Sequence, residues 1–111
     1  MALIVIEVDP EQLSDPDLDV RFALPELLEA ASAGSVTGAG DGVDEDERIH
    51  IYLDTADLVA GVRLVTQILQ SRLLGGEDLS RCRIGVRNAP GQPFDVVFPE
   101  GAAATIPDLD S

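Results

Sequence analysis

Apolar and polar positions along this chain follow two rhythms, broken by loops rich in Gly, Pro and Asp. Leu3 to Val8 is almost continuously apolar, interrupted only by Glu7. A short run of that kind suits a central strand covered on both faces. Asp9-Pro10 ends it, because proline brings no N–H to a ladder and restricts the residue before it. Further on, Arg48 to Asp54 alternates cleanly. Ile49, Ile51 and Leu53 share one side, and Arg48, His50, Tyr52 and Asp54 share the other. Arg81 to Arg87 alternates too, with Cys82, Ile84 and Val86 inward and Arg81, Arg83 and Arg87 outward. "NAPGQP" then reads as a turn, and Phe94 to Phe98 as a further strand paired back on it.

Two segments carry the helical rhythm. In "SDPDLDVRFALPELLEAAS" the apolar face is Leu24, Leu27, Leu28 and Ala31. Pro25 suits a first helical position, which places Glu26 and Glu29 near the positive end of the dipole. The piece before it, with Leu18, Val20 and Phe22 alternating, reads as a turn or extended lead-in. Gly34 lies where a C-cap is expected. The second helix, "DTADLVAGVRLVTQILQSRLLGG", has a stripe of Leu58, Val62, Val65, Ile68, Leu69 and Leu73. Asp54 or Thr55 can cap it, Asp57 falls in its first turn, and Gly75-Gly76 stops it. Between the helices, Ser35 to Gly40 is a glycine-weakened strand, followed by an acidic loop.

The resulting order is β-α-β-β-α-β with one added strand. That is an α+β class and the ferredoxin-like sandwich pattern, an antiparallel sheet with two helices on one face. Residues 1–100 form a single such domain, and 101–111 read as a loose C-terminal tail.

Composition changes the picture in three ways. Hydrophobic residues make up 45%, but one Tyr and three Phe are the only aromatics, so Leu, Val and Ile must build the core. The formal net charge is -14, and all seven basic residues are Arg. Such a field repels phosphate backbones, which disfavours nucleic-acid binding and favours a basic partner. It fits equally an acidic surface set by a GC-rich or high-salt genome, in which Arg replaces Lys. A single cysteine, Cys82, allows neither an internal disulfide nor a Cys-based zinc site. The apolar start lacks a basic lead and is far shorter than a membrane span, which points to a cytoplasmic protein.

"GAGDG" has glycines but neither the P-loop spacing nor its lysine, and the acids beside it repel phosphate. A bulged strand end explains those glycines better. Asp15, Asp17, Asp19 and Glu26 imitate calcium-loop spacing, but Val20 stands where that loop needs Gly and Pro25 intrudes. Asp41, Asp44, Glu45, Asp46 and Glu47 could hold a hard cation loosely, yet a charge run is usually a solvated loop. His50 is the only histidine, and no nucleophile, base and orienter converge in the sequence. No metal, cofactor or catalytic residue is therefore assigned, and the chain reads as a non-enzyme.

The sheet face away from the helices is more informative. It is expected to carry Leu3, Val5 and Glu7 from the first strand, His50 and Tyr52 from the third, and Arg81, Arg83 and Arg87 from the fourth. A mixed patch of Tyr, His, Arg and aliphatic side chains has the composition of a protein interface. An apolar central strand must be covered, so the tail or a second copy could equally occupy this face.

"DVRFALPELLEAASAGSVTGAGDG" followed by "IHIYLDTADLVAGVRLVTQIL" resembles small, uncharacterised bacterial ferredoxin-like proteins. The shared pattern is helix, Gly-rich strand, alternating strand, then a helix opening on Asp, over about Asp19 to Leu74. Some of these acidic proteins are similar to immunity proteins, which neutralise a toxin by binding it. The resemblance implies an inhibitor role without catalysis. The insertion "DGVDEDE" departs from the shorter connection of that pattern. The expected partner surface is Asp41, Asp44, Glu45, Asp46, Glu47, His50, Tyr52, Arg83 and Arg87, with a basic toxin domain as partner. A ligand-binding or regulatory homodimer using the sheet face is the alternative.

Overall fold

A computed structural model describes residues 2–9, 20–43, 48–71, 82–87, 94–98 and 105–106. Along the chain these form β1 (Ala2–Val8), α1 (Val20–Ser32), β2 (Val36–Val43), β3 (Ile49–Thr55), α2 (Leu58–Gln70), β4 (Arg83–Arg87), β5 (Phe94–Phe98) and β6 (Thr105–Ile106). The fold is α+β. Its strands make one antiparallel sheet in the order β2-β3-β1-β4-β5-β6. This is compatible with a ferredoxin-like layout, but the order continues past β4 into two further strands.

The central position of β1 follows from its composition. From Ile4 to Val8 every residue is buried, odd and even alike. Ile4, Ile6 and Val8 face the helices. There they join Leu24 and Leu28 of α1, Val65 and Leu69 of α2, and Val36, Ile51, Leu53 and Ile84 in one cluster. Burying an aliphatic side chain of this size contributes about 1.5–3 kcal/mol, so this cluster is the main source of stability. Cys82 is buried at its margin.

Four boundaries differ from the sequence expectation. First, α1 starts at Val20 and holds Pro25 inside, rather than starting near Pro25. Pro25 is the sixth residue of α1, past the first four N–H groups that lack helical partners, so it costs one helical hydrogen bond, to the carbonyl of residue 21. The extra turn lets Ala23 and Leu24 reach the core, and that burial outweighs the local penalty.

Second, α2 is capped by Asp57, not by Asp54 or Thr55. Asp57 is extended, and its side chain accepts the Ala60 N–H at 3.1 Å. Thr55 is kept in β3 by pairing with Ala2 and Val36, and its hydroxyl donates to the Asp57 carbonyl. Leu73, expected on the α2 stripe, lies outside the described residues.

Third, β2 runs to Val43, so Asp41 belongs to a strand rather than to a loop. Its register to β3 shifts between Gly38 and Gly40, and Gly40 has φ 133°. The glycines thus serve a bulged strand, as the sequence reading allowed.

Fourth, the tail is not wholly loose. Thr105 and Ile106 pair with Asp95 and Phe94, which gives the otherwise open side of β5 a short neighbour.

At the end of α1 the chain turns left-handed one residue before the expected glycine: Ala33 has φ 54°, and its N–H donates to the Ala30 carbonyl at 3.4 Å. Gly34 has φ 87°, and its N–H donates to the Glu29 carbonyl at 3.1 Å. No described helix is long and apolar enough to cross a membrane.

Candidate functional site

The odd residues of β1 and their cross-strand neighbours form the sheet face opposite the helices. Strand pairing arranges them in rows. Glu7 stands opposite His50 on one side and Arg83 on the other. Val5 stands between Tyr52 and Gly85, and Leu3 between Asp54 and Arg87.

The Glu7 row is ionic. Glu7 is 6% exposed, and Arg83 holds it bidentately. Nε donates to Oε1 at 2.7 Å and Nη2 donates to Oε2 at 2.8 Å. His50 Nε2 lies 3.5 Å from Glu7 Oε2, with the imidazole 1% exposed. Arg48 Nη1 lies 3.8 Å from Oε1. A charge in an apolar strand is tolerable only when paired and hydrogen-bonded, and this one is. Its two strongest bonds also tie β1 to β4 in a single register.

The next row is aromatic. The Tyr52 ring lies 6.3 Å from His50 and 5.8 Å from Phe94, both tilted. Phe94 is fully buried with Val5, and Leu3 and Val96 pack against them. The Arg87 guanidinium sits 4.6 Å from the Phe94 ring centroid, within cation–π range. Gly85, opposite Val5, adds no side chain to this row.

The expectation of an exposed patch is thereby corrected. His50, Tyr52, Arg83 and Arg87 do share one face with Leu3, Val5 and Glu7, as alternation demands. The centre of that face is buried within a single chain: Val5 and Phe94 are inaccessible, His50 and Tyr52 nearly so. The physical reason is the nature of β1. A strand apolar on both sides needs two cores, and β5 supplies Phe94 to build the second. Arg83 and Arg48 stay partly exposed, at 33% and 41%, and rim the face. Of the expected acidic surface, Asp41 is exposed on β2. Asp44, Glu45, Asp46 and Glu47 lie outside the described residues, as do Arg81, Asp15, Asp17 and Asp19.

Two residues carry more of this face than alternation alone shows. Glu7 is the hub of the ionic row, and the signal was its position as the only charge in an apolar run. Phe94 is the anchor of the second core, and the signal was the scarcity of aromatics. With only three Phe in the chain, each is a strong candidate for burial.

Chemically, the face is built to hold itself together. The Glu7 carboxylate is engaged by cations and shielded, so it lacks the access to substrate that a general base needs. Among the described residues, no three His, Cys, Asp or Glu side chains converge as a metal site. A groove of about 570 Å³ between α2 and β5 is lined by Val59, Val62, Thr66, Gln70, Val97 and Phe98, among others. It offers hydrophobic contact, the amides of Gln67 and Gln70 and one charged group, the Arg63 guanidinium. Comparison of the chain with family models, curated proteins and solved structures finds no match.

Proposed function

We propose that this protein is a non-enzymatic, acidic binding module acting in the cytoplasm, on a ferredoxin-like β-α-β-β-α-β scaffold extended at its C-terminal end. Its role is that of an immunity-type inhibitor of a basic toxin domain. The observation that carries the reading is the charge: -14 over 111 residues, with no lysine. A field of that strength raises the encounter rate with basic partners and repels nucleic acid. A toxin that acts on nucleic acid is basic for its own reasons, and an acidic inhibitor competes with its substrate.

The alternative, a homodimer binding a small ligand on the sheet face, has less support. The face is filled by Tyr52, Phe94 and the Glu7 row, so neither a second copy nor a ligand is needed to cover it.

The test is capture of basic proteins on the immobilised chain at low salt, followed by assay of each captured protein with and without the chain. Inhibition of at least one, with association slowed when Asp41, Asp44, Glu45, Asp46 and Glu47 are replaced by their amides, supports the reading. Unchanged association rates at low salt, or no captured protein losing activity, would sink it.

A further inference from the structure

Among the described residues, β2 is an outer strand of the sheet, with β3 as its neighbour on one side only. Gly38, Ala39, Gly40 and Asp41 are all exposed. An edge strand presents N–H and C=O groups that can template another chain. Folds usually blunt such edges with lysine, proline, short length or a cover. β2 is eight residues long and contains neither lysine nor proline.

Among the described residues two blunting devices are present, and both fall in its first half. Glu29 of α1 reaches across so that its Oε1 accepts the Gly38 N–H at 3.0 Å. The bulge sits between Gly38 and Gly40. From Gly40, itself bent at φ 133°, to Val43 the pairing runs without a shift, residue for residue with Tyr52, Ile51, His50 and Ile49. Gly40 and Gly42 carry no side chain, and even a Cβ built on Gly40 would meet none of the described residues within 4 Å. A second backbone can therefore approach this half of the strand closely.

Charge selects the occupant. A second copy would bring -14 against -14. Asp41 lies within that half, and the next four residues in sequence after Val43 are all acidic. A strand rich in Arg or Lys gains where a copy of this chain loses. We propose that the Gly40–Val43 half of β2 accepts an extended, basic segment of the partner as an added strand. Backbone hydrogen bonds would supply binding and the acids would supply selection. This rests on the basic-partner reading above and names the surface that serves it.

The test uses two peptides on the intact chain: five Arg-Val repeats with blocked ends, and the same peptide with every amide N-methylated. The second keeps the charge and loses every backbone donor. The expected result is binding at least about tenfold tighter for the unmethylated peptide, equivalent to one or two backbone hydrogen bonds. Hydrogen exchange by NMR should slow within Gly40–Val43 on its addition. Equal binding of both peptides without that protection would overturn strand addition while leaving the basic-partner reading intact. Binding of neither would overturn both. Protection of the same amides in a dimer of the chain alone would overturn the choice of occupant.

Discussion

The pairing of Glu7 with Arg83 predicts an asymmetry that can be measured. Replacing Arg83 by Met removes both bonds to the carboxylate, at 2.7 and 2.8 Å. Glu7, at 6% exposed, cannot recover them from water. Breaking a buried pair in this way costs about 3–5 kcal/mol. Arg48 at 3.8 Å and His50 at 3.5 Å remain to offset part of it, so we expect a loss near the lower limit of that range. Replacing Glu7 by Gln leaves cations that reach solvent, Arg83 being 33% and Arg48 41% exposed. The Gln carbonyl still accepts from Arg83, so the expected loss is about 1–2 kcal/mol, the scale of a charge-assisted bond partly replaced by hydration. Replacing both by Met removes the buried charge with its partner and should fall closer to wild type than R83M alone. Urea unfolding followed by circular dichroism gives all four stabilities. If E7Q costs as much as R83M or more, the reading of Glu7 as a shielded carboxylate dependent on Arg83 is wrong.

Two further substitutions probe the two cores. Gly61 of α2 is buried, and a Cβ there would lie 2.9 Å from Thr55 Oγ1 and 3.1 Å from Ile4 Cδ1. Helix propensity favours Gly61→Ala by about 1 kcal/mol, but overpacking against a stiff β-branched neighbour costs about 1–3 kcal/mol. We expect a lower Tm in thermal melts, and a raised one would refute the close approach. Phe94→Ala should cost about 3–5 kcal/mol in urea titration, as for a fully buried aromatic. A loss under about 1 kcal/mol, typical of surface substitutions, would mean that the second face is open after all.

Much of the scaffold is legible in local chemistry. The alternation in "RIHIYLD" places His50 and Tyr52 opposite Ile51 and Leu53, because the strand period is two. Gly34 marks the end of α1 to within one residue, the left-handed turn beginning at Ala33, and the Leu24, Leu28, Val65 and Leu69 stripes mark what the helices bury. Helix starts were less legible. Pro25 is a good first residue by local preference, and only the core contact of Leu24 makes the upstream turn worth forming. Asp54, Thr55 and Asp57 can each cap a helix, and the choice is made by the pairing of Thr55 with Ala2 across the sheet.

The candidate site divides in the same way. From the sequence alone come the charge of -14, the sides of each strand and the apolar run of β1. These follow from composition and from the periodicity of the backbone. Whether the second face is open or closed depends on where Phe94 lands, some forty residues along the chain from Tyr52, and local preferences carry no such information. Tertiary structure decides that His50 and Tyr52 are core while Gly40 to Val43 lie, among the described residues, on an outer strand. It does so because β1 is apolar on both sides and pairs on both edges, so burial closes in around it and leaves β2 at the margin.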